Sequence, residues 1–133
     1  MQYTTSMKLE NDAKWEIKRE LISAGDAIAY IGRNQNQLLG KQDQRLSDEI
    51  KIADRNVWDL INILRGPYEL EGLLLVLFDN TLRECRGQMR RLIKALTDSS
   101  SLESPYEYEK DVITSILRDA LENIEQLFTL YRE

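Results

Sequence analysis

A chain of 133 residues, 42% apolar and 31% charged, has the length of one domain and enough apolar side chains to bury a core without a metal or disulfide staple. Its net charge of -5 argues against nucleic acid as a general partner, and its single cysteine rules out an intramolecular disulfide and points to a reducing compartment. Histidine is absent, which removes Ser-His-Asp and Cys-His catalysis, His-ligated zinc and the Glu-x-x-His motif of di-iron bundles.

Residues 1–10 contain no apolar stretch of signal-peptide type, and residues 1–7 show no periodic pattern. The first helix is expected over 8–32. Ile17, Leu21, Ala24, Ile28 and Ile31 form its apolar stripe, and Glu10, Lys14 and Lys18 follow at four-residue spacing. Gly25, Ala29 and Gly32 lie along one side, where small residues let a neighbouring backbone come close. Residues 33–44 change character. Asn34-Gln35-Asn36-Gln37 and Gln42-Asp43-Gln44 flank Leu38-Leu39-Gly40, which reads as a long connection bending at Gly40, or as a recognition loop.

The second helix is expected over 44–65, where Leu46, Ile50, Ala53, Val57, Leu60 and Leu64 alternate four- and three-residue steps. Gly66 fits a left-handed C-cap and Pro67 the first turn of the next helix, so the following helix is expected over 67–97. This third helix is the one around which the chain is organised. Phe78, Leu82, Cys85, Met89, Leu92 and Leu96 keep the same period, and Leu73 to Phe78 form an unbroken apolar run. The run is far shorter than the roughly 20 residues that span a bilayer, so no membrane insertion and a cytoplasmic location are expected. The fourth helix, 105–131, starts at Ser104-Pro105-Tyr106-Glu107, a capping box with proline at the first position. Its stripe is Val112 or Ile113, Ile116 or Leu117, Ala120, Ile124, Leu127 or Phe128, and Tyr131. Short turns and shallow packing angles make the expected fold all-α: a single domain over 1–133, an up-down-up-down antiparallel four-helix bundle, with pairing between two chains as a variant.

Three features suggest function. Six successive apolar residues cover every side of a helix, whereas a bundle helix keeps one wet face. Leu73, Leu75, Val76 and Leu77, with Leu38 and Leu39, are therefore candidates for an interface with a protein partner or a second copy, unless Leu38-Leu39 and the N-terminal arm cover the run internally. Arg83, Arg86, Arg90 and Lys94, with Arg91 beside them, form a basic stripe that would rim such an interface, bind an acidic partner, or pair with Asp111, Asp119, Glu122 and Glu125 of the last helix. Tyr106 and Tyr108, with Tyr68, are candidate aromatic anchors, while Cys85 falls on the core face as an inert thiol.

No set of residues has the spacing of a catalytic, cofactor or metal site. The leading expectation is a small, acidic, non-enzymatic interaction module of adaptor, small-chaperone, inhibitor or assembly-subunit type that forms a homodimer or docks a protein partner. A nucleic-acid accessory protein using the basic stripe comes second, and a helical hydrolase with a carboxylate-bound metal third.

Overall fold

The computed structural model describes residues 6–8, 11–40, 44–66, 69–99 and 105–131. Its elements are β1 (Ser6–Lys8), α1 (Asn11–Arg33), α2 (Gln35–Leu39), α3 (Gln44–Leu64), β2 (Glu69–Glu71), α4 (Gly72–Asp98) and α5 (Glu107–Tyr131). The fold is all-α, with one short two-stranded ribbon. The four long helices close a ring: α1 packs on α3 and α5, and α4 packs on α3 and α5.

The apolar periodicity locates the core. On α4, Phe78, Leu82, Cys85, Met89, Leu92 and Leu96 are all buried. On α3 the stripe from Ile50 to Leu64 is buried and Leu46 packs against it. On α1, Leu21, Ala24, Ile28 and Ile31 point inward. On α5 the core positions are Ile113, Leu117, Ala120, Ile124, Leu127 and Phe128, whereas Val112 is exposed. A three-four spacing keeps each stripe within roughly a third of the helix circumference, so the four stripes meet along one axis.

The small side of α1 receives α3. A Cβ on Gly25 would lie 3.2 Å from the Trp58 ring, and one on Gly32 would lie 3.3 Å from Ile50 Cγ2. One turn further on, Gln35 Nε2 donates to Gly32 O at 3.2 Å and to Ser47 Oγ at 3.0 Å, pinning the start of α2 to the start of α3. Tyr30 Oη donates to Glu109 Oε2 at 2.6 Å and joins α1 to α5. Asn56 Nδ2 donates to Gln88 Oε1 at 3.0 Å inside the α3–α4 interface.

Several expected boundaries are corrected. Lys8 is not in a helix but in β1, and α1 begins at Asn11. The connection at 33–44 contains the one-and-a-half-turn helix α2, which Gly40 closes in a left-handed conformation (φ 71°) with its N–H on Asn36 O at 3.0 Å. Gly66 has no positive φ; its N–H bonds to Ile63 O at 3.0 Å in a tight last turn of α3. The third long helix does not begin at 67. Glu69–Glu71 pair antiparallel with β1 (Met7 opposite Leu70), and α4 starts only at Gly72, whose φ of 60° turns the extended chain into the helix. The proposed start at Pro67 and the Ser104 cap lie outside the described residues.

Candidate functional site: the first turns of α4 and the basic stripe

The apolar run at the start of α4 divides by helical phase. Phe78 is fully buried, Leu75 is buried, and Leu74 packs partly on the core. Leu73 is 88% exposed, Val76 56% and Leu77 54%. These three sit at i, i+3 and i+4, so they share one outward face over a single turn of helix. The β1–β2 ribbon packs beside this end of α4 and buries Leu70, while Glu69 and Glu71 remain exposed.

Leu38 and Leu39 are placed differently from the expected interface. Both are buried, and Ser99 Oγ at the far end of α4 donates to Leu38 O at 3.0 Å. They close the core at the C-terminal end of α4 and neither join the exposed patch nor cover it. Leu75 likewise belongs to the core, which leaves Leu73, Val76 and Leu77 as the accessible part of the predicted set.

The basic stripe is tied into the fold. Arg86 and Arg90 both pair with Glu125 of α5, Arg91 pairs with Glu49 of α3, and Arg83 and Lys94 pair within α4 with Asp79 and Asp98. The Arg86 guanidinium also lies 4.4 Å from the centre of the Phe128 ring and that of Arg83 5.8 Å, so both cover an apolar edge of the α4–α5 seam. Of the four acids expected to match the stripe, only Glu125 does so; the other contacts come from α3 and from α4 itself. Each cation already faces a carboxylate, and most of these pairs are exposed, so each contributes about 0–1 kcal/mol and acts mainly to fix helix orientation.

Cys85 is fully buried, and burial alone pushes its thiol up to about 12. A thiol held in that state is neither nucleophile nor metal ligand. Tyr108 is 79% exposed, Tyr106 packs partly on the core, and Tyr68 lies outside the described residues. Among the described residues, no group of three or more Cys, Asp or Glu side chains is placed to hold a metal ion, and no helix is long and apolar enough to cross a membrane.

No family model matches this chain, and no curated protein and no solved structure matches it either. The functional reading therefore rests on the side chains themselves. What the α4 surface can do chemically is bury aliphatic area: Leu73, Val76 and Leu77 carry no proton-transfer, nucleophilic or metal-binding group.

A second feature escaped the sequence reading. Trp15 is 58% exposed on α1, with the Arg19 guanidinium 5.2 Å from its ring centre. Trp15, Lys18, Arg19, Ile22 and Ser23 line a groove with Arg65, just beyond α3. The signal in the sequence was an aromatic residue with cations at i+3 and i+4, hidden because the apolar stripe of the same helix dominates its pattern.

Proposed function

We propose that this chain is a non-enzymatic protein-interaction module that self-associates through the first turns of α4. The observation that carries the reading is the exposure of Leu73, Val76 and Leu77 on one face. Burying their exposed parts would contribute on the order of 1–2 kcal/mol each. A two-fold pairing is self-complementary for such a patch, because each copy supplies the same three side chains to the other. The paired cations higher on α4, with the exposed Glu69 and Glu71 beside the patch, would form a polar rim that orients the encounter more than it sets affinity.

The scaffold that presents the patch is, in this reading, a single-domain antiparallel four-helix bundle. The supporting contacts run in opposite chain senses along three of the four seams: Gly25 and Gly32 meet Trp58 and Ile50, and Asn56 and Glu49 meet Gln88 and Arg91. Arg83 and Arg90 likewise meet Phe128 and Glu125.

The test separates surface from core on adjacent turns. Leu77→Glu changes a half-exposed side chain and should leave the helical circular dichroism and melting temperature near wild type while abolishing association. Leu75→Glu buries a charge and should lower the melting temperature steeply. A folded Leu77→Glu protein that associates as wild type does would overturn the reading.

A further inference from the structure

We infer that the groove between the first half of α1 and the end of α3 binds a mononucleotide, with the base stacked on Trp15 and the phosphate held by Lys18, Arg19 and Arg65. The inference is independent of the α4 surface, since α1 and α4 occupy opposite corners of the helix ring.

The walls of the groove are fixed by the fold. Arg65 follows the last residue of α3, its N–H bonded to Ile61 O at 3.1 Å and to Asn62 O at 3.2 Å. Lys14 Nζ donates to Gly66 O at 3.4 Å, fastening the first turns of α1 to the end of α3. About three turns further along α1, the close approach of Gly25 to Trp58 keeps the helices together. The groove is open to solvent and offers about 270 Å³, slightly below the roughly 300 Å³ at which ligand pockets begin, so a bound nucleotide would fill it and stay partly exposed. Ile22 offers an apolar surface and Ser23 a hydroxyl.

The charge pattern differs from that of α4. There every cation contacts a carboxylate. Among the described residues Lys18, Arg19 and Arg65 have no carboxylate within 4.0 Å, although Asp12, Glu16, Glu20 and Asp26 lie on the same helix and Asp59 on the neighbouring one. None of those five acids lines the groove. Three cations with no acid partner among the described residues, beside one exposed indole, combine the two elements that recognise a nucleotide: charge for the phosphate and a flat π surface for the base. Arg19 lies over the ring, so the indole is oriented before the ligand arrives and less side-chain freedom is lost on binding. The net charge of -5 repels an extended polyanion, which favours a single nucleotide over a strand.

The probe is AMP, titrated into the full chain at low salt by calorimetry and by tryptophan fluorescence. The expected result is saturable binding that quenches Trp15 emission and weakens with salt. Ribose 5-phosphate, which lacks the base, should bind roughly tenfold or more weakly. Trp15→Ala and the double variant Lys18→Glu/Arg65→Glu should each lose at least tenfold in affinity while keeping the wild-type circular dichroism. Absence of saturable AMP binding overturns the inference, as does unchanged affinity in the double variant. A short single-stranded oligonucleotide that binds more tightly than AMP overturns the mononucleotide assignment in favour of a strand.

Discussion

Gly25 of α1 lies directly against the Trp58 ring of α3: a Cβ at position 25 would sit 3.2 Å from both Cε2 and Nε1 of the indole. Glycine in a helix interior lowers helix propensity by about 1 kcal/mol relative to alanine, and here it lets two helices approach with an indole between them. A larger side chain must push Trp58 aside. Gly25→Leu is therefore expected to destabilise the fold by about 1–3 kcal/mol through overpacking, measured as a lower urea midpoint with an unchanged slope.

Gly40 makes a different kind of demand. It has open space where a Cβ would go, but its φ of 71° closes α2 in the left-handed region. Gly40→Ala should cost on the order of 1 kcal/mol through backbone strain alone. Gly40→Asn should cost less, because asparagine tolerates that conformation better. Thermal melts of the two variants provide the comparison.

The alkaline limit of stability should involve two groups. Burial raises the Cys85 thiol from 9.0 to about 12, and Tyr30 is raised from 10.0, first by its hydrogen bond to Glu109 and then by desolvation. Both groups are neutral when protonated and hold their protons more tightly in the folded chain. Their contribution is complete below pH 9 and is lost as the pH rises through the folded values. Stability measured by urea titration should therefore fall between pH 9 and 12, and Cys85→Ala should flatten that fall.

The same burial governs reactivity. Cys85 should resist a thiol-specific reagent at pH 8 in the folded protein and react fully once urea unfolds it. Rapid labelling without unfolding would mean that α4 opens locally around Cys85 far more often than a buried core position should.

What the sequence made legible follows from periodicity. The four long helices and most core positions follow from three-four spacing, and Cys85 between Leu82 and Met89 falls on the core face for the same reason; Ala27, Leu38, Leu39, Leu70 and Leu75 are core residues that this spacing does not mark. The β1–β2 ribbon was not legible. Its strands are three residues each, too short for an alternation, and the Gly66-Pro67 pair carried a stronger helix-start signal than Glu69–Glu71 carried for a strand. Leu38 and Leu39 looked like surplus apolar residues because nothing in a polar Asn/Gln stretch marks it as a one-and-a-half-turn helix folded back onto the core. Internal pairing is one of three readings the sequence allows for the basic stripe, and the partners depend on the azimuth of each helix, so Arg91 meets Glu49 of α3 instead of an acid of α5.

The most direct measurement for the central claim is the solution mass by light scattering after size exclusion, across a dilution series of the wild-type chain and Leu77→Glu. The account predicts a mass near twice 15.6 kDa for the wild type, falling toward the monomer on dilution, and a monomer at every concentration for the variant. A wild-type chain that is monomeric throughout would contradict self-association through Leu73, Val76 and Leu77.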